Sequence, residues 1–113
     1  MRKLLFLCLC FTTFCSYAKL DTTCHTWPMN MAKSWLQDKN IVAEKLIVDD
    51  KTQFRLLASE KLESGQYTDV YFFTFFDYKG NAYHLITQNI SSDEECSISS
   101  VNIYRVSNYK ITY

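Results

Sequence analysis

The sequence predicts an α+β fold, with one N-terminal helix packed on a four- to five-stranded antiparallel meander. Three observations carry this expectation. Residues 67–78, Y-T-D-V-Y-F-F-T-F-F-D-Y, are dominated by aromatic and β-branched side chains and fit no helical period, which favours a pleated central strand. Ahead of them, Pro28 opens a stretch of helix-compatible residues. Behind them, short alternating runs are separated by compact turns.

The chain of 113 residues has room for one domain. Its first 18 residues read as a signal peptide. Arg2 and Lys3 form the basic start, residues 4–14 are apolar, and Ser16 and Ala18 are small residues before an expected cut at Lys19. The apolar run is too short for a membrane span, which needs ~20 residues. No stable membrane anchor is therefore expected after cleavage, and residues 19–113 form a single exported α+β domain, periplasmic or secreted.

Three of the five cysteines leave with that segment. Cys24 and Cys96 remain, an even pair in an exported domain, and are expected to form a disulfide. Loss of Arg2 and Lys3 from 12 basic residues leaves 10 against 12 acidic ones, a formal −2. With no basic stripe, nucleic acid is not an expected partner. Two glycines and one proline leave no linker or low-complexity segment.

In chain order, residues 19–26 are an extended lead-in. The helix is expected over 28–37, with Met31, Trp35 and Leu36 as its apolar stripe and residues 38–40 as its exit. Residues 41–48 are a first strand or a further helical turn, and 49–51 a turn. Residues 52–62 read as a strand with Phe54, Leu56 and Ala58 on one face and Arg55, Leu57 and Ser59 on the other. The aromatic strand, a hairpin at 79–81 with Gly80 at positive φ, and a strand at 83–90 follow. An acidic loop, Asp93, Glu94 and Glu95, precedes a last strand at 98–106 and a tail or edge strand to Tyr113. The outline is similar to cystatin-like and NTF2-like half-barrels.

No residue constellation points to catalysis or to a cofactor. His84 shares a strand face with Ala82, Ile86 and Ile90, and no motif supplies the positioned partner a general base needs. His25 adjoins Cys24, whose expected oxidation removes it as a nucleophile. The consecutive acids at 93–95 lack the spaced ligands of a calcium site, and no zinc or phosphate-loop motif is present. The chain is accordingly not expected to be an enzyme.

The central strand is aromatic on both faces, whereas one short helix covers one. Either the sheet curls over the second face, or that face meets a ligand or protein. With its helix at 28–37 and strands at 67–78, 83–90 and 98–106, the chain resembles in layout the small immunity proteins of contact-dependent growth inhibition systems. Such proteins bind and neutralise the C-terminal toxin domain of a neighbour's surface exoprotein. The resemblance implies a basic toxin domain as partner, contacted by Asp69, Tyr71, Asp77, Tyr83, Asp93, Glu94, Glu95 and Tyr104. Export then implies an envelope-acting toxin or retention of the precursor in the cell. Two other readings share the composition: a periplasmic inhibitor of a lysozyme or protease, and a carrier of an apolar small molecule lined by Phe72, Phe76, Ile86 and His84.

Overall fold

The computed structural model describes residues 23–107. The expected signal peptide and the tail beyond Ser107 lie outside them. One helix packs on an open four-stranded antiparallel sheet, an α+β fold of the expected outline.

Helix α1 spans Thr26–Asp38, with Pro28 in its first turn where no intrahelical N–H is required. It buries Pro28, Ala32 and Leu36, one residue per turn along a single stripe. The expected stripe is thus displaced: Leu36 belongs to it, Met31 is exposed, and Trp35 is only partly covered, with the Lys39 ammonium 5.8 Å from its ring. Ala32 explains the choice, because a methyl side chain lets the helix axis approach the sheet where a methionine could not. The helix ends in a Schellman arrangement. Asn40 sits at φ 60, its N–H donates to Gln37 O (3.0 Å), and the Ile41 N–H donates to Leu36 O (2.9 Å).

Residues 41–48 form no strand; they make a strap with a single 3-10 turn at Glu44–Leu46, and the turn expected at 49–51 is a second 3-10 turn, Asp49–Lys51. The strap touches the sheet through an isolated bridge between Ile47 and Asp77 and through the Val48 N–H, which donates to Phe76 O at 2.8 Å. Lys33 on α1 reaches Asp49 at 2.9 Å, an exposed pair that adds little to stability.

The strands are β1 (Gln53–Lys61), β2 (Gln66–Phe76), β3 (Ala82–Ser92) and β4 (Asn102–Arg105), in the order β1-β2-β3-β4. β2 is interior, as expected of the aromatic run, and Gly80 takes φ 88 in the hairpin after it. Two expectations are corrected. β1 carries a bulge: Leu56 opposes Tyr71, Ala58 opposes Val70, and Leu57 is the extra residue. Beyond it the alternation inverts, so Ser59 shares the face of Phe54 and Leu56. The last strand is also shorter than 98–106, because serine side chains there bond the backbone instead of leaving it to a ladder. Ser99 Oγ accepts the Ile90 N–H (2.9 Å), and the Ser97 hydroxyl donates to Ser99 O (2.9 Å).

The core lies between α1 and one face of the sheet. Tyr71, Phe73 and Phe75 of β2 meet Leu85 of β3, Ala32 and Leu36 of α1, and Val42 and Ile47 of the strap. Burying each large side chain here contributes roughly 1.5–3 kcal/mol. Toward the start of β2 the same face turns polar. The Asp69 carboxylate accepts the hydroxyls of Ser59 and Ser91, both at 2.7 Å. Asn89 donates to Cys96 O (3.2 Å) and Ser97 Oγ (3.1 Å). A disulfide joins Cys24, just before α1, to Cys96 in the β3–β4 connection, with Cα atoms 5.1 Å apart.

Candidate functional site

At the hairpin end of the sheet, the exit of α1 and the strap stand opposite the β2–β3 turn. Between them lies an open cleft of about 540 Å³. Ile41 and Val42 form its apolar floor, Leu46 and Tyr78 its rim, and Gln37, Asn40, Lys79, Asn81 and Tyr83 complete it. Each wall has a local cause. Asn40 in the left-handed region turns the strap back over the sheet, and Gln37 Oε1 accepts the Glu44 N–H at 2.8 Å to hold it there.

The opposite wall is organised by Asp77. Its Oδ1 accepts the backbone N–H groups of Lys79 and Asn81, both at 2.9 Å. Its Oδ2 accepts the Asn81 amide at 3.0 Å and the Tyr83 hydroxyl at 2.9 Å. These donors favour the ionised carboxylate, the Asn81 side chain most strongly, and hold it down at about 2 against the partial burial that opposes them. Burial and the Asp77 charge together push the Tyr83 phenol up. The turn is therefore stiff at neutral pH, and Tyr78 on it stands 73 % exposed beside the cleft.

The residues expected at a partner surface are not brought together. Asp77 and Tyr83 lie in the cleft wall. Asp69 and Tyr71 are 3 % and 1 % exposed beneath the covered face, and this corrects their placement on a surface. The cause is that α1 and the disulfide cover the face that carries the odd-numbered residues of β2. Asp93, Glu94 and Glu95 are exposed, but they follow β3 at the far end, roughly 30 Å away for a strand of this length. Asp93 is also engaged internally, accepting the Tyr67 hydroxyl; burial and the Asp93 charge raise that phenol. Tyr104, 53 % exposed, stands on the opposite face of β4 in a cross-strand row with Ile86, Phe72 and Arg55.

That opposite face bears no helix among the described residues. Phe72 stacks on His84 with ring centres 5.7 Å apart, and the Arg55 guanidinium lies 5.8 Å from the Phe72 ring. His84 Nδ1 is 3.0 Å from Thr74 Oγ1. Among the described residues no three His, Cys, Asp or Glu side chains gather as a metal site would require. Of the cleft residues, sequence reading passed over Asn40, Ile41, Leu46 and Tyr78. The one available signal was D-Y-K-G-N, whose aspartate is spaced to bind its own turn.

No protein-family model matches this chain, and neither the comparison with curated proteins nor that with solved structures finds a match.

Proposed function

We propose that this chain is an exported immunity protein that binds and neutralises a cognate toxin domain of a contact-dependent growth inhibition system. The observation that supports it best is the braced hairpin, which holds Tyr78 exposed beside a cleft of about 540 Å³. A tyrosine on a turn whose backbone is set before docking offers both an apolar ring and a hydroxyl with no loop to order on binding. Leu46 and Ile41 supply apolar surface next to it, and Asn81 and Lys79 supply polar groups at the rim. Glu94 and Glu95 lie too far away to share that contact, and act instead as a field that attracts a basic partner. The disulfide agrees with an oxidising compartment and thus with export.

The test is a titration of the oxidised protein with the C-terminal toxin domain of an exoprotein encoded immediately upstream. A tight complex is expected, with association slowed by salt and with Tyr78→Ala weakening affinity about tenfold or more. Absence of binding to that domain, with inhibition of a lysozyme or protease instead, moves the reading to a hydrolase inhibitor. A co-purified lipid in native mass spectrometry, with neither protein bound, moves it to a carrier.

A further inference from the structure

The two edge strands of the sheet differ in length: β4 at one edge has four residues and β1 at the other has nine. Behind β4, the outer side of β3 is occupied along its length. β4 pairs with residues 85–88. The Val106 N–H donates to His84 O, the Ile98 N–H to Ile90 O, and the Ser92 N–H to Glu95 O, while Ser99 Oγ takes the Ile90 N–H. β1 has nothing comparable. It is nine residues long, and among the described residues no group bonds its outward N–H and C=O. Phe54 and Leu57, and Leu62 just beyond, are exposed apolar side chains along it. Arg55, Glu60 and Lys61 form no ion pair among the described residues. Unbonded N–H and C=O groups along an edge of this length are a template for another strand, and the charges and bulge on that edge decide which strand can pair with it.

We propose that this edge docks a second copy of the chain, β1 against β1 antiparallel, about a twofold axis between Leu57 and Ala58. The charges are self-complementary in that register. Arg55 opposes Glu60 of the copy twice over, Phe54 opposes Lys61, and Leu56 opposes Ser59.

The bulge is what allows it. Opposed residues in antiparallel strands share a face. Arg55 and Glu60 are an odd number of positions apart, so a regular strand would put them on opposite faces. The extra residue at Leu57 brings them back: Arg55 pairs with Phe72 and Glu60 with Thr68, an even step along β2. They therefore share both face and hydrogen-bonding direction. The same holds for Phe54 and Lys61, opposite Phe73 and Tyr67, and for Leu56 and Ser59, opposite Tyr71 and Asp69. A shift of one position would set Arg55 against Ser59 or Lys61, both on the wrong face. A shift of two keeps the faces but sets it against Ala58 or Leu62, without the opposite charge. Charge and pleat select one register, and Leu57 meets Ala58 of the copy across the axis.

Sedimentation equilibrium of the oxidised protein, from low micromolar to millimolar concentration, tests this. A monomer–dimer equilibrium is expected. Arg55→Glu or Glu60→Arg alone should raise the dissociation constant about tenfold or more by setting like charges across the axis twice. The double exchange should restore it to near the parent value, which a structural effect of either change would not do. Leu57→Lys, at an exposed position, should also dissolve the dimer while leaving the far-UV circular dichroism unchanged. A monomer at every concentration overturns the proposal, and so does a dimer that is indifferent to these charges or is not rescued by the exchange. None of these outcomes depends on the toxin titration.

Discussion

Replacing Cys24 and Cys96 together by alanine removes the bridge between the entrance of α1 and the β3–β4 connection. The bridge spans a sequence separation of 72 residues, and the chain-entropy model assigns a loop of that size about 4 kcal/mol at 25 °C. Domains of this size hold about 5–15 kcal/mol in total, so the variant should keep folding with a small margin. Alanine suits both ends: Cys24 is buried, where a serine would bring in a hydroxyl, and Cys96 is exposed. Urea unfolding provides the assay. Both tryptophans, Trp27 and Trp35, sit on α1, so their fluorescence reports the helix while far-UV circular dichroism reports the whole fold. The expected result is a loss of roughly 4 kcal/mol, reproduced by reducing the parent protein. A loss under about 1 kcal/mol would refute the reasoning, because the unfolded chain would then gain little freedom when the loop opens.

Three further predictions follow from the interior and the hairpin. Asp69→Ala takes the shared acceptor from the Ser59 and Ser91 hydroxyls and should cost roughly 3 kcal/mol in thermal or urea unfolding, with partner binding by the folded protein unaffected. Ala32→Leu forces extra methyl groups into a position with no exposure and should cost about 1–3 kcal/mol by the same assay. Asp77, held at about 2 in the fold, has a folded value below its unfolded one near 4. Its contribution is therefore fully present above the unfolded value and is lost as pH falls through about 2. Urea midpoints measured from neutral to acid pH should fall less for Asp77→Asn than for the parent across that window.

What the sequence made legible was local. The aromatic strand, the hairpin at Gly80, the helix behind Pro28 and the pairing of Cys24 with Cys96 each rest on a few adjacent residues or a simple count. What it concealed depends on contacts between distant segments. Nothing in Q-F-R-L-L-A-S-E-K marks Leu57 as a bulge. The extra residue makes sense only once Ser59 is seen to face Asp69. Ser97 and Ser99 fit a strand by alternation, and only their bonds to neighbouring backbone show why the ladder stops short. Asp69 and Asp77 have the same parity on one strand, so alternation alone gives them the same exposure. One lies beneath cover and the other closes a turn.

The difference between those two acids follows from how far one helix reaches. Thirteen residues of α1 extend about 20 Å, whereas the eleven residues of β2 extend about 37 Å. Even laid lengthwise, α1 shields little more than half of the strand it packs on. Where its apolar stripe lies, the covered face holds Phe73, Phe75 and Leu85. Toward the start of β2 the face is closed by a loop rather than by a helix stripe. A loop brings backbone carbonyls and hydroxyls, so the matching interior is Asp69, Asn89 and Ser91 with hydrogen-bond partners. A loop laid over a polar interior gains little from apolar burial and needs another tether. Cys96, in that loop, provides it by tying the cover to Cys24 beside the helix. The aromatic richness of β2 therefore overstates the apolar core, and the disulfide stands where the hydrophobic contribution runs out.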